Sequence, residues 1–247
     1  MKYLLPKWLV RFGEKVAKIP YAKTLLKPIY YPYKEHLAKK RNQQFLSYGL
    51  EVLSLFDTTM KRINAPYVLG FGTLLGAVRE HKFLSHDLDI DTCMWYSDYV
   101  EKNVGVELET AGFSYLRSFE VDDGVSGMEI TFCYKNVSID IFLIYPGIGG
   151  GLPFTCHNWD PVGETTSMEQ SMKKYGYLLP YRFEAPYNRE ISMVQFYDLH
   201  LPIPTNYDDI LSYRYGPDYM TPNPNWHDDR RNMTLWEGKK AVRKDKK

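Results

Sequence analysis

The stretch GFGTLLGAVREHKFLSHDLDIDT, residues 70–92, decides the fold. A strand is predicted over 67–71 and ends at the glycines of this stretch, and a helical pattern follows over 73–80. Alternating polar and apolar residues then predict a second strand over 88–95. A strand, a helix and a strand in this order begin a sheet that carries a helix on one face.

Carboxylates alternate with apolar residues around the second of these strands. Successive side chains of a strand point to opposite faces, so Asp87, Asp89 and Asp91 are predicted to share one face. Three carboxylates on one face repel one another unless water or a cation neutralises them. Oxygen ligands of this kind suit Mg²⁺ or Mn²⁺. We therefore expect a divalent metal site at this strand.

Asp140 is a further acidic candidate. It stands in the apolar run 137–143, where a carboxylate is costly unless it is paired or bound to a metal. Antiparallel pairing of this run with 88–95 would bring Asp140 beside Asp89 and Asp91. We therefore expect all three carboxylates at one site.

The turn before the first helix is suited to binding a phosphate. Glycines 70 and 72 let the backbone approach an anion closely, and the helix start presents free N–H groups. Thr73 is predicted to cap this helix or to contact a phosphate oxygen, and Arg79 to reach the same anion with its planar fork of donors. A phosphate site next to a metal site serves phosphoryl or nucleotidyl transfer.

Hydrophobic patterns place the other elements of the chain. They predict a helix over 34–64, a helix capped by Ser97 that ends near Gly112, a hairpin of strands 128–134 and 137–145, a strand over 190–196 and a helix over 207–215. This order indicates an α+β fold with a mixed β-sheet flanked by helices. Arg214 is predicted to pack the last helix onto the sheet or, alternatively, to reach the substrate.

Charge is unevenly distributed along the chain. Residues 1–43 carry a net charge of +9 and residues 239–247 a net charge of +5, although the whole chain has +1. Residues 3–19 form a basic amphipathic helical pattern, which either lies on an anionic membrane surface or packs on the main domain. Prolines predict an irregular connector over 20–33. The expected division is a basic N-terminal extension (1–33), a catalytic domain (34–238) and a basic C-terminal tail (239–247).

The apolar segments and the cysteines bear on the compartment. No apolar run reaches the roughly 18 residues of a membrane span, and Lys7 and Arg11 interrupt the opening segment, unlike a secretory signal. Three widely spaced cysteines fit neither a disulfide framework nor a paired zinc site. These features favour the cytoplasm, with a peripheral contact at the inner face of the membrane. The acidic body argues against nucleic acid as a partner.

The order of the motifs resembles a known family. A Gly-Thr pair (72–73), alternating aspartates and a later single aspartate are similar to the DNA polymerase β-type nucleotidyltransferase superfamily. Within it, GTLLGAVR (72–79), Phe83 and DLDID (87–91) resemble the LicD/fukutin family. The resemblance covers roughly residues 65–220.

Two C-terminal stretches extend the resemblance. IPTNYD (203–208) and RYGPDYM (214–220) are similar to the closing motif of that family. His86 and Leu88 depart from the family pattern, which often has Trp and Asp at these places, and the choice of donor is therefore left open.

The resemblance implies a metal-dependent transferase with a nucleotidyltransferase-like fold. Family members move phosphocholine, an alditol phosphate or a sugar phosphate from a CDP-linked donor to a glycan, lipid-linked in some cases, as in lipopolysaccharide or capsule biosynthesis. The resemblance assigns metal binding (Mg²⁺ or Mn²⁺) and catalysis to Asp89, Asp91 and Asp140, and substrate binding to Gly72, Thr73, Arg79 and Asp87. The spacing of the superfamily fits Asp87 and Asp89 as the metal ligands instead, and that of the family fits Asp89 and Asp91 with Asp87 as a third or outer-shell group. Two alternatives stay open: a nucleotidyltransferase that moves NMP from an NTP to a small molecule or protein, and a non-enzymatic, membrane-docked adaptor.

Overall fold

The structure is a computed structural model that describes residues 22–223, 230 and 232–246, with side chains from residue 39 onward. The amphipathic pattern of residues 3–19 lies outside these residues, so its contact with a membrane or with the domain stays a prediction. Within the described ranges, none of the helices combines the length and the apolarity needed to cross a bilayer.

The described part begins with helix α1 (Ala22–Arg62). The irregular connector predicted over 20–33 is wrong from Ala22 onward, because α1 continues through Pro28 and Pro32. Each proline removes one helical hydrogen bond, but the Ala, Leu and Lys residues around them favour the helix. The C-terminal half of α1 packs into the core through Phe45, Val52, Leu53, Phe56 and Met60.

The next elements follow the prediction closely. They are strand β1 (Val68–Leu69), helix α2 (Phe71–Glu80) and strand β2 (Asp89–Trp95). Two short helices, α3 (Tyr96–Glu101) and α4 (Val104–Thr110), replace the single helix predicted after Ser97. Asn103 separates them with a φ of 50°, a left-handed conformation that a continuous helix does not contain.

The remaining elements build the rest of the sheet and its surroundings. They are β3 (Ser114–Val121), β4 (Gly127–Tyr134), β5 (Val137–Tyr145), β6 (Phe154–Asp160), α5 (Met168–Tyr175), β7 (Leu179–Glu184), β8 (Ile191–Phe196), β9 (Leu199–Pro204), α6 (Tyr207–Tyr215), β10 (Met233–Leu235) and β11 (Ala241–Asp245). The predicted hairpin, the strand over 190–196 and the last helix are confirmed.

Nine of the described strands form one sheet. Its order is β10-β7-β6-β5-β4-β3-β11, with β2 paired to β5 and β1 paired to β2. Strands β2 and β5 are parallel, and the other neighbouring pairs described are antiparallel. The α+β class and the mixed sheet are thus confirmed. Ile90 and Ile139 join Phe56 of α1 in one buried cluster, so the alternate residues of β2 and β5 lie on the other face.

Residues 239–247 contain a strand rather than a separate tail. Strand β11 pairs with β3, from Ala241 opposite Val121 to Asp245 opposite Arg117. Ala241 is fully buried, and Lys244 Nζ donates a hydrogen bond of 2.6 Å to Glu120 Oε2. The basic residues that suggest a solvated tail suit an edge strand, where lysines discourage pairing with other chains.

Candidate active site

The parallel pairing of β2 with β5 places two carboxylates side by side. Asp91 is the Cα partner of Asp140, and Asp89 is the partner of Ser138. Residues in register on neighbouring strands share a face, and the strands lie about 4.8 Å apart. The expected antiparallel pairing is wrong, whereas the expected proximity of Asp91 and Asp140 is confirmed.

Asp91 is held at the N-terminus of α2. Its Oδ2 accepts a hydrogen bond of 3.1 Å from the backbone N–H of Gly72, one of the free donors of a first helical turn. Burial raises the pKa of Asp91 well above its ordinary value, and the charges of three neighbouring aspartates add to the rise. The N–H group predicted to bind a phosphate therefore binds a carboxylate in this structure.

Asp140 is buried beside Asp91. Burial is the largest cause that raises its pKa to about 6, with a contribution from the charge of Asp89. The Thr131 hydroxyl lies close enough to lower this pKa, yet Asp140 Oδ1 has no partner of proper hydrogen-bond geometry within the described chain. Such an oxygen is costly unless a ligand satisfies it.

The raised pKa of Asp140 makes the stability of the fold depend on pH. Between about pH 4 and pH 6 the folded state binds more protons at this carboxyl than the unfolded state, so the free energy of unfolding falls as pH rises through this window. We expect Asp140→Asn to gain stability relative to wild type over that window in metal-free buffer. Urea unfolding of both proteins at several pH values measures this difference, and a difference that does not vary with pH contradicts the prediction.

Asp89 is bound by a residue that the sequence patterns do not reveal. Arg41 on α1 donates from Nη2 to Asp89 Oδ2 at 3.1 Å and to the preceding carbonyl oxygen at 3.3 Å. Its neighbour Asn42 donates from Nδ2 to the carbonyl oxygens of Ser85 and Asp87, both at 3.1 Å. Helix α1 thus holds the loop that leads into β2.

Asp87 lies in the turn before β2 rather than on the strand face predicted for it. Its Oδ2 accepts a hydrogen bond of 2.9 Å from the N–H of Leu84. Its Oδ1 lies 3.6 Å from where a Cβ would stand on Gly72. Burial raises its pKa to about 6, and the Leu84 N–H opposes the rise. Asp87 therefore adds a carboxylate next to the start of α2.

Thr73 ties α2 to β2. It is buried, and its Oγ1 accepts a hydrogen bond of 2.9 Å from the N–H of Asp91. The N-cap of α2 is Gly70, without a side-chain cap, so the predicted capping role of Thr73 is wrong. The hydroxyl instead positions the backbone that carries Asp91.

We expect Thr73→Val to lower the free energy of unfolding by about 1–2 kcal/mol, because it leaves the Asp91 N–H buried without an acceptor while keeping the side-chain shape. Chemical denaturation measures the loss. Thr110→Val is the matched control, since its hydroxyl bonds the Val106 carbonyl on the exposed side of α4. Equal effects of the two substitutions would mean that the Thr73 hydrogen bond adds no stability of its own.

The turn into α2 is strained and closely packed. Phe71 has a φ of 39°, a left-handed conformation that costs a non-glycine residue about 1–3 kcal/mol and clusters at functional sites. Its ring stacks on His157 at 4.6 Å and meets Phe142 edge-on at 4.6 Å. A Cβ on Gly72 would stand 3.4 Å from Asp91 Oδ2. The aromatic packing thus holds the turn in a shape that keeps Gly72 against the carboxylates.

Arg79 lies away from the carboxylates. It stands about 10 Å along α2 from Gly72, and its guanidinium reaches the Tyr219 carbonyl at 3.5 Å and Glu80 Oε1 at 3.3 Å. These contacts connect α2 with the segment after α6. They support a structural role and give no support to the predicted contact with a donor phosphate.

Arg214 packs beside the turn that leads into α2. It is buried, and its guanidinium lies 5.9 Å from the Phe183 ring and 5.5 Å from the Tyr215 ring. With Gly70 and Phe71 it lines a small recess under the start of α2. The structure therefore favours packing over substrate contact for Arg214.

The segment that holds the aspartates matches a known family. The description of that family is LicD/FKTN/FKRP, nucleotidyltransferase domain, and the match covers residues 64–206, more than half of the chain. This chain belongs to the LicD/FKTN/FKRP family. All the aspartates described above lie within the matched range.

This LicD/FKTN/FKRP family member is similar to proteins named ribitol-5-phosphate transferase FKTN. It is 24% identical over 230 residues to the Homo sapiens and Macaca fascicularis proteins, covering 92% of this chain and 45% of theirs. It is 27% identical over 178 residues to the Mus musculus protein, covering 71% of this chain and 34% of that one. The chain thus spans less than half the length of these relatives.

Carboxylate oxygens are the type of ligand atom that suits a hard divalent cation. Across the described ranges, no three or more acidic, histidine or cysteine side chains converge as a ready metal site, because Asp89 is turned to Arg41 and Asp91 to Gly72. Asp140 keeps an unsatisfied buried oxygen beside Asp91, and clustered like charges favour a cation. The carboxylate oxygens of Asp89, Asp91 and Asp140 are of the type that Mg²⁺ and Mn²⁺ prefer, but Asp89 is paired with Arg41 in this structure.

Glu129 on β4 is an acidic residue that the sequence reasoning missed. It faces Phe142 of β5, and its Oε2 accepts a hydrogen bond of 2.6 Å from Trp159 Nε1. Burial raises its pKa to about 8, and the charge of Asp140 adds to the rise. Glu129 lies two residues before Thr131 on β4 and therefore on the same face of the sheet as Asp140. A carboxylate in the apolar run MEITF (128–132) is the same signal that singles out Asp140.

Proposed function

We propose that this protein transfers a phospho-group from a CDP-linked donor to a glycan acceptor, with Mg²⁺ or Mn²⁺ held by Asp89, Asp91 and Asp140. The transferred group is phosphocholine, an alditol phosphate or a sugar phosphate. The observation that carries the proposal is the register of Asp91 with Asp140 beside the N-terminus of α2, inside the family-matched segment.

Phosphoryl transfer depends mainly on positioning and on neutralisation of charge. When bound, a divalent cation supplies positive charge at the donor phosphates. The protein holds Asp91 through the Gly72 N–H and the Thr73 hydroxyl, so its carboxylate is fixed before substrate binds. The Oδ1 of Asp140, which lacks a hydrogen bond among the described residues, would be the oxygen that binds the cation.

The relatives guide the choice of donor. Because the similar proteins are named ribitol-5-phosphate transferases, CDP-ribitol is the first donor to test, followed by CDP-glycerol and CDP-choline. The alternative, transfer of NMP from an NTP, uses the same carboxylates but breaks a different phosphorus–oxygen bond. The leaving product therefore separates the two functions.

The test incubates purified protein with each CDP-linked donor or with NTPs, a glycan mixture and Mg²⁺. We expect CMP release from one of the CDP-linked donors, lost when EDTA removes the metal. Pyrophosphate release from an NTP would favour nucleotidyl transfer instead. Absence of both products with every donor would contradict an enzymatic role and favour the adaptor.

A further inference from the structure

A β-bulge in β3 turns Arg117 towards the carboxylates. Tyr115 faces Phe132, and Arg117 faces the adjacent residue of β4, Thr131, so Leu116 is the extra residue. Without this bulge Leu116 would face Thr131, and Arg117 would point to the opposite face of the sheet. The bulge therefore determines on which face of the sheet the Arg117 guanidinium lies.

Arg117 belongs to a row of polar residues that crosses the sheet. Asp91 pairs with Asp140, Asp140 with Thr131, and Thr131 with Arg117. These side chains share one face, and the Cα atoms of Arg117 and Asp140 are on the order of 10 Å apart, two strand spacings. A guanidinium and a phosphate group together can fill such a gap.

Three polar atoms of this row lack a hydrogen bond in the described part of the chain. Thr131 Oγ1, Asp140 Oδ1 and Arg117 Nε are buried and have no hydrogen bond of proper geometry there, although the Thr131 hydroxyl lies close enough to the Asp140 carboxylate to lower its pKa. Thr131 and Asp140 are more than nine-tenths buried. Buried polar atoms are nearly always satisfied in folded proteins. Several unsatisfied atoms on neighbouring strands therefore point to a ligand.

The cross-strand neighbour of Arg117 does not neutralise it. Asp245 faces Arg117 from β11, but its Oδ1 accepts hydrogen bonds from Nε and Nη2 of Arg243, at 3.1 and 2.9 Å. The Arg117 guanidinium lies 5.8 Å from the centre of the Phe119 ring. Its charge lowers the pKa of the Asp140 and Glu129 carboxyls, so both lie within its electrostatic range. Its Nε has no hydrogen bond within the described residues and remains available for an anion.

We propose that Arg117 and Thr131 bind a phosphate group of the substrate next to Asp140. A guanidinium matches two phosphate oxygens at once, and the threonine hydroxyl supplies a further donor. Because four aspartates gather at this site, an anionic substrate needs a cation on the protein to approach them. This inference rests on the proposed function for the source of the phosphate, which is either the donor diphosphate or a phosphate on the acceptor glycan.

The test measures binding of CDP and of inorganic phosphate by calorimetry, with Mg²⁺ present and without turnover. Arg117→Gln should lower the affinity for one of these probes about tenfold or more, because it removes a pair of charge-assisted hydrogen bonds. Arg243→Gln is the matched control, since its guanidinium lies 5.9 Å from the same Phe119 ring but is bound by Asp245. It should leave both affinities unchanged.

The two probes distinguish the two sources. Weaker binding of CDP assigns the site to the donor diphosphate, and weaker binding of inorganic phosphate with unchanged CDP affinity assigns it to a phosphate of the acceptor. Unchanged binding of both probes by Arg117→Gln overturns the proposal. A wild-type protein that binds neither probe overturns it as well.

Two milder variants keep the test decisive if Arg117→Gln does not fold. Arg117→Lys keeps the charge and loses the fork, and Thr131→Val loses only the hydroxyl. Weaker probe binding in both supports the site, and wild-type affinity in both overturns it. Since binding is measured apart from turnover, a protein that binds the probes through Arg117 but releases no CMP contradicts the proposed function alone.

Discussion

Replacing Asp91 with Asn should reduce CMP release about a thousandfold or more and leave the protein folded. The amide keeps an oxygen that can accept the Gly72 N–H, but it loses the charge that a divalent cation requires. The lost charge is buried and repelled by Asp89 and Asp140, so its removal should not destabilise the metal-free protein. Turnover and melting temperature are measured on the same preparation.

Asp123→Asn is the matched control for this substitution. It makes the same chemical change at a side chain that is 94% exposed and lies in the turn between β3 and β4. It should retain wild-type turnover. Wild-type turnover in Asp91→Asn would remove this residue from the reaction, and a large fall in its melting temperature would mark Asp91 as structural. Mn²⁺ binding, followed by electron paramagnetic resonance, should be weakened only in Asp91→Asn.

The strand carrying Asp89 and Asp91 could be predicted because its alternation is a local property. The direction of its pairing could not. Strands β2 and β5 are separated by two helices and the β3–β4 hairpin, and parallel and antiparallel pairing both keep Asp91 and Asp140 on the polar face. Only the path of the intervening chain decides between them, and that path depends on tertiary packing.

The arginines of the site were harder to predict than its carboxylates. Arg41 reaches Asp89 from helix α1, which begins before the domain boundary expected at residue 34. The carboxylate that Arg41 contacts therefore depends on how α1 packs. Arg117 faces the site because of a one-residue bulge. A bulge shifts the alternation by one residue, and the sequence pattern of β3 by itself assigns Arg117 no face.

The basic C-terminal residues show how composition can hide a strand. Lys239, Lys240, Arg243 and Lys244 suggest a solvated tail, whereas Ala241 is fully buried opposite Val121. One small apolar residue in a charged segment is a weak signal. It becomes meaningful only when the edge of the sheet leaves room for a partner strand.

Gly76→Ala should lower the free energy of unfolding by about 3 kcal/mol, although alanine favours a helix over glycine by about 1 kcal/mol. A Cβ at this position would stand 2.5 Å from the Lys82 carbonyl oxygen and 3.3 Å from the Leu84 backbone nitrogen. Both atoms belong to the backbone of the loop that folds back on α2, so no side-chain rotation relieves the contact.

The same loop connects stability with the site. The Leu84 N–H binds Asp87 Oδ2, and the chain enters β2 two residues after Asp87. Displacing residues 82–84 should therefore move the carboxylates and reduce turnover along with stability. Denaturant unfolding and CMP release measure the two effects.

Gly105→Ala is the matched control, because Gly105 also lies inside a helix, α4. Its added Cβ would meet the hydroxyl tip of Tyr99 at 2.8 Å, and a side-chain tip can move where a backbone carbonyl cannot. We expect this variant to keep wild-type turnover and to lose less stability than Gly76→Ala. If Gly76→Ala is as stable and active as Gly105→Ala, the loop can shift without cost, and the close approach at Gly76 does not position the aspartates.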